Sequence, residues 1–325
     1  MRTSMKRRIT AMLAAPLAAA LLLSGCASNG GDQQGDEPSG EKIVIGVALS
    51  DASNPFFQTM AARIKEEAAK QGVEIVERSA PVGNDNDAFN NNVDSLVTMG
   101  VDGLITAPIS PSNQQALQRA ADAGIPIVEL DSSIPDWDAS IAQIQTDNVQ
   151  AGRDAVELLA EGLGDEEMNI IILNNVLGYQ SVNDRTQGAE EAIEELGGNL
   201  VQIVDGGVSQ AEAQAATETV LRAHPEINAI MGTVSMYSLG AMQAVRTTGA
   251  AEGSVLITGV DGSDAEFEAI KAGTYFGTAA QQPAEMGAQG LQIILDALDG
   301  KEPAERSVLI PPLRVTADNV DEFLK

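Results

Sequence analysis

Residues 101–131 read "VDGLITAPISPSNQQALQRAADAGIPIVELD". Two short apolar runs, "VDGLITAP" and "IPIVELD", flank a helical stretch, "SNQQALQRAADAG", that closes on a glycine. Strand, helix and strand in that order form a parallel pair with a crossover helix, because a tight turn cannot return a chain to a parallel neighbour. The same alternation runs upstream through "KIVIGVAL", "QTMAARIKEEAAKQG", "VEIVER" and "DAFNNNVDSLVTMG". After the non-periodic bridge "SSIPDWDASIAQIQ" it restarts near Val149 and continues through "MNIIILNN", "NLVQIVDG", "INAIMGTV", "SVLITGVD" and "TYFGTAAQ", with helical segments between. Apolar strands with amphipathic helices on either side predict an α/β chain of two doubly wound parallel-sheet lobes rather than one oversized sheet.

The first 25 residues stand apart. Arg2, Lys6, Arg7 and Arg8 precede an apolar run from Ile9 to Leu23 that is too short to span a bilayer, the pattern of an export signal. It ends in Leu23-Ser24-Gly25-Cys26, which resembles the lipobox of bacterial lipoproteins and predicts lipidation of Cys26. Residues 26–41 are Gly, Ser, Gln and acid with too little apolar surface to order themselves, so a flexible tether is expected. The remaining domain is then extracytoplasmic and anchored to the cell membrane by Cys26. That cysteine is the only one in the chain, so no disulfide is available. With 19 basic against 47 acidic residues and a formal net charge of −28, nucleic acid is not an expected partner.

Ligands of open parallel sheets bind beyond the carboxyl ends of the strands. The residues found there are Asn54, Phe56 and Phe57, then Asn84 to Asp87, Ser110 and Asp131 in the first half. The second half supplies Asn174, Asn175, Tyr179, Arg185, Thr233, Ser235, Asp261 and Gln281. Amides, hydroxyls, acids, one arginine and aromatic faces suit a small, uncharged, polyhydroxylated ligand, whose hydroxyls exchange hydrogen bonds and whose C–H surface stacks on rings. Asn54 before Pro55 also reads as a helix cap, Phe56 and Phe57 as core, and Arg185 as a surface ion-pair partner. An enzyme finds little support. His224 lies outside the strand-end set, and neither a phosphate loop nor metal-ligand spacing occurs, so no catalytic residue, metal or cofactor is assigned.

These segments resemble the type I periplasmic binding proteins that serve sugar ABC importers, in the ribose-binding branch. The likeness rests on "IGVALSDASNPFF", "VDGLITAPISP", "GIPIVELDS", "TDNVQAGRDA", "DRTQGAEEA", "SLGAMQA", "VLITGVDGSDAE" and "TAAQQPAEMG". It implies three hinge crossings, near 143–148, near Gln281 and near 311–313. It divides the chain into lobes of 42–146 plus 282–312 and of 147–281 plus 313–325. It further implies that Phe56 and Phe57 flank a sugar ring near Asn54, and that Asp131, Arg185, Asp261 and Gln281 hold hydroxyls from opposite sides. Two departures stand out: Ser132 where the branch has Arg, and Val234 with Ser235 where it has an Asn-Asp pair. Trp137 and Tyr179 are expected to cover the ligand where those polar groups are lost. The implied function is capture of a small neutral sugar or sugar alcohol for an ABC permease by a monomer. A lipid-tethered sensor for a receptor kinase or chemoreceptor is the alternative.

Overall fold

A computed structural model describes residues 42–324 apart from 84, 109, 175–179 and 252; the expected signal, tether and Cys26 lie outside the described residues. The first half runs β1 (Val44–Ala48), α1 (Pro55–Gln71), β2 (Glu74–Glu77), α2 (Asn86–Met99), β3 (Gly103–Thr106), α3 (Gln114–Asp122), β4 (Ile127–Leu130) and β5 (Ala142–Thr146). It continues through α4 (Asn148–Leu163), β6 (Asn169–Asn174), α5 (Gln180–Leu196), β7 (Asn199–Asp205), α6 (Gln210–Ala223), β8 (Ala229–Gly232), α7 (Ser235–Thr248), β9 (Leu256–Asp261), α8 (Asp264–Lys271) and β10 (Gly277–Ala280). The chain closes with α9 (Pro283–Leu298), β11 (Ser307–Ile310) and β12 (Leu313–Thr316).

The strands form two sheets, ordered β11-β5-β4-β3-β1-β2 and β12-β10-β9-β8-β6-β7. Neighbours pair in parallel except β12, which runs antiparallel to β10 at the edge of the second sheet. The chain passes between sheets three times: at Asp147, at Gln281–Gln282, and at Pro311–Pro312, where a two-residue link carries it from β11 to β12. Thus α9 follows a strand of the second sheet but packs on β3, β4 and β5 of the first.

Each sheet is covered on both faces, as near-continuous apolar strands require. On the first, Met60 and Ile64 of α1 meet Ile294 of α9 over Ile45 and Ile105, while Phe89, Val93 and Leu117 from α2 and α3 fill the other side. On the second, α4 and α5 supply Ala155, Leu159 and Ile193 to one face, and Tyr237, Phe267 and Ile270 from α7 and α8 pack on the other. Local chemistry sets the helix ends. The Asn54 carboxamide accepts the Phe56 N–H at the start of α1, Asp85 accepts the Ala88 N–H at the start of α2, and Gly72 and Gly100 end those helices in the left-handed region with φ of 71° and 72°.

The contact between α4 and α5 fixes the later geometry. A Cβ added at Gly152 would lie 1.9 Å from the carbonyl oxygen of Arg185, and one at Gly188 would lie 1.9 Å from that of Val149. Two bare backbones touch here, and Arg185 is held at the contact. Replacing Gly152 with Ala should therefore destabilise the fold by about 1 to 3 kcal/mol, although Ala is the better helix former. Chemical denaturation checks this, and a neutral or stabilising substitution would show that the helices are free to part.

Candidate functional site

Between the carboxyl ends of the two sets of strands lies a cavity of about 670 Å³. The first sheet delivers Asn54, Phe56 and Phe57 after β1 and Asp131 after β4; the second delivers Ser235 after β8, Asp261 at the end of β9 and Gln281 after β10, with Arg185 reaching in from α5. The sequence placed all eight at strand ends or helix mouths, and the fold brings them to one cleft.

Asp261 is the hub. Its Oδ1 accepts from the Arg185 guanidinium at 3.1 Å and from Gln281 Nε2 at 2.8 Å, and its Oδ2 accepts the Ser235 N–H at 2.9 Å. Arg185 is buried; its Nε donates to Asn148 Oδ1 at 2.9 Å and its Nη1 to the Thr233 carbonyl at 2.9 Å. A buried guanidinium is tolerated only when paired and hydrogen-bonded in this way. Helix α7 begins after Val234, which has no side chain to cap it, and the Asp261 carboxylate satisfies the first amide instead.

Asp131 is a different acid. Its carboxyl has no hydrogen-bond partner in the described residues, and its pKa is pushed up to about 6, first by burial and then by the charge of Asp261, with Arg185 opposing. Both cleft acids have positive φ, 64° at Asp131 and 124° at Asp261. Non-glycine residues rarely adopt that region, and here it turns the chain at the strand end where each acid meets the cavity.

The aromatic pair divides its labour. Phe57 is 9 % exposed and belongs to the core, whereas Phe56 is half-buried and meets it edge-on, with centroids 5.1 Å apart and an interplanar angle of 88°. Asn54 caps α1, as its place before Pro55 predicts, and also lines the cavity.

Trp137 is corrected. Rather than covering the cleft, it is 4 % exposed in the core beside α2 and α3, with its indole N–H on Gln118 Oε1 at 2.7 Å. A large apolar ring following a strand found more surface to bury under the helices than at the cleft. Tyr179, Asn84 and Asn175 lie outside the described residues. Ser110 binds the Asn86 carboxamide at 2.8 Å and caps the turn before α3, so it ties helices together. Ser132, which stands where the branch has Arg, donates to the Pro108 carbonyl at 2.7 Å and does not line the cavity.

Sequence reading missed Thr146, Asn148 and Glu266. Thr146, the last residue of β5, donates to Gln281 Oε1 at 2.7 Å and so joins one sheet to the other. Asn148 orients Arg185. Glu266 was legible as the last member of the capping box Ser263-x-x-Glu266. Among the described residues no cluster of three or more metal-ligating side chains occurs.

The family described as the periplasmic binding protein domain matches residues 45–302. The ribose import binding protein RbsB of Bacillus subtilis is 27 % identical over 307 residues, covering 92 % of this chain and 95 % of that protein. The D-allose-binding periplasmic protein of Escherichia coli is 31 % identical over 286 residues, covering 85 % and 88 %. A crystal structure of an ABC transporter solute-binding protein from Bacillus halodurans with bound myo-inositol superposes with a TM-score of 0.76 at 28 % identity, over 87 % of this chain and 97 % of that one. With the family match spanning most of the described residues, and with two sheets meeting about one cleft, the chain belongs to the type I periplasmic binding proteins, in their ribose-binding-like branch.

Proposed function

We propose that this protein binds a small neutral sugar or sugar alcohol between its two lobes, 42–146 with 282–312 and 147–281 with 313–325, and delivers it to an ABC-type permease. The observation that carries the reading is the cleft itself, where Asp131 and the Arg185–Asp261–Gln281 group converge from different sheets beside Phe56 and Phe57. An anionic ligand is disfavoured because Arg185, the only basic residue among the described residues that line the cavity, is already paired with Asp261. Hydroxyls suit what remains: a free carboxylate to accept them and aromatic edges against which a ring can lie. Relatives named for ribose and allose, and a structural neighbour holding myo-inositol, support this class. The ligand is carried unchanged, since the family is one of transport binding proteins and not of enzymes. The domain acts outside the cytoplasm as a monomer, tethered through lipidated Cys26.

A dissociation constant near 1 μM would need about 8 kcal/mol of net binding free energy. A ligand at a hundred times its dissociation constant then stabilises the folded form by about 2.7 kcal/mol. In a thermal-shift panel of D-ribose, D-allose, xylitol and myo-inositol, at least one compound should raise the melting temperature, and Asp131→Ala should abolish that rise. Asp131 is the cleaner test because its carboxyl holds nothing else together, whereas Arg185→Ala also breaks the bonds to Asn148, Thr233 and Asp261. A shift that persists in the Asp131 variant places the ligand elsewhere.

Acidity supplies a second check. A carboxyl whose pKa is raised on folding is disfavoured in its charged form, so its cost to the empty protein is absent below the ordinary value near 3.8 and complete above about 6. Asp131→Asn should therefore stabilise the empty protein at about pH 8, on the order of 2 to 3 kcal/mol, while the gain fades by about pH 4. Binding should move oppositely, strengthening as pH rises through 6 because the charged carboxylate is the better acceptor. Melting curves and titration calorimetry at both pH values measure the two effects, and equal stability of both proteins at the higher pH would remove Asp131 from the desolvated cleft.

A further inference from the structure

We propose that Glu266 is the positioning residue that commits the Ser235 hydroxyl and fixes Asp261, making these two residues an acceptor patch on the second-sheet wall of the cleft that selects ligands presenting hydroxyl donors. This rests on the reading of the cleft as a sugar site and adds a determinant of its selectivity.

Glu266 lies on α8, is 0 % exposed and does not line the cavity. Its Oε2 accepts the Gly262 N–H at 3.0 Å, the Ser263 N–H at 2.8 Å, the Ser263 hydroxyl at 3.1 Å and, in a short bond, the Ser235 hydroxyl. Its Oε1 accepts Tyr275 OH at 2.8 Å; the Ser238 and Thr278 hydroxyls lie 3.4 Å away but have closer acceptors, the Ser235 and Gly259 carbonyls, both at 3.1 Å. Every partner of Oε2 donates to it, so that oxygen is fixed as an acceptor, while the hydroxyls beside Oε1 can either donate or accept. Burial pushes the Glu266 carboxyl up, and the neighbouring charge of Asp261 pushes further; the bonds from Ser235, Ser263 and Tyr275 oppose both. A group that costly to bury needs a compensating role.

Two consequences reach the cleft. First, the Gly262 and Ser263 amides follow Asp261 directly, so Glu266 fastens the turn in which Asp261 has its φ of 124° and faces Arg185, Gln281 and the Ser235 amide. Second, a serine has one hydroxyl hydrogen, and that of Ser235 is committed to Glu266. Toward the cavity Ser235 retains only lone pairs. Together with Asp261 it forms a surface that takes donors and refuses an ether oxygen, because two acceptors would face each other without a proton.

The experiment is titration calorimetry with D-ribose, D-allose, xylitol and myo-inositol, well below the melting temperature of each variant, on Glu266→Gln, Glu266→Asp, Glu266→Ala, Ser235→Ala and the Ser235→Ala/Glu266→Ala pair. Gln reaches both sides, with its oxygen toward the amides and Ser235 and its nitrogen toward Tyr275, so affinity for the tightest binder should stay within about threefold of wild type. Asp keeps the charge but is one methylene short, and should bind more weakly than Gln; Ala should lose about tenfold or more. Ser235→Ala should cost little further once Glu266 is Ala, because the two act as one unit. Unchanged affinity in the Ala variant, fully additive losses, or Asp binding better than Gln overturns the proposal while leaving the sugar-site reading intact. If Ala fails to fold, the order of Gln and Asp decides. Wild-type protein that binds none of the four sinks the sugar reading and this inference with it.

Discussion

One buried ion pair organises the molecule. Arg185 sits among packed backbone at the contact of α4 and α5, where its side chain is almost wholly withdrawn from solvent. It must meet a carboxylate, and the one it meets belongs to β9, on a different element of the same sheet. Removing Asp261 would strand the buried Arg185 charge at a cost of about 3 to 5 kcal/mol, so β9 holds α5 in place. Among the described residues the pair also takes up the one positive charge lining the cleft, leaving the cavity with carboxylates and little to attract an anion.

From Asp261 the constraint passes to the hinge. Gln281 gives its amide hydrogen to Asp261 and receives the Thr146 hydroxyl, while the adjacent Gln282 donates to the Pro311 carbonyl at 2.8 Å. Thr146, Gln281–Gln282 and Pro311 lie at or beside the three points where the chain changes sheets, so side-chain bonds link the cleft acid to the first two crossings and the Gln282 bond links the second to the third. Relative motion of the two sheets must work against these bonds. A ligand that also engages Asp261 changes their balance, and this gives a physical route from occupancy to closure.

The fold was legible because its signals are local and redundant. Alternating apolar runs, Asn54-Pro55 at a helix start and glycines at helix ends each point to the same elements, and the structure has them. Strand ends also located Asp131, Arg185, Asp261 and Gln281 in one cleft, since a parallel sheet presents all its carboxyl ends together. What failed was the placement of Trp137. It was expected to cover the ligand where polar groups are lost, from its place in the bridge after Asp131; it is buried because its surface is large. The antiparallel edge strand β12 and the supporting roles of Thr146, Asn148 and Glu266 depend on contacts between residues far apart in sequence, about which periodicity says nothing.

The two departures from the branch pattern are not equivalent. Loss of the polar pair at Val234 and Ser235 is absorbed within the protein, because the Asp261 carboxylate takes over the amide that a capping side chain would have satisfied, and Glu266 takes the remaining hydroxyl. Loss of the arginine at Ser132 is not absorbed: the serine turns to a backbone carbonyl, and no guanidinium reaches Asp131. The first wall of the cleft therefore carries an unpaired, desolvated acid, while on the second Asp261 is already engaged by Arg185, Gln281 and the Ser235 amide. The Asp131 carboxyl makes no bond that holds the empty protein together; on the proposed sugar-binding reading its full hydrogen-bonding capacity is open to a ligand, and the instability it imposes is free energy that a hydroxyl donor would relieve on entering.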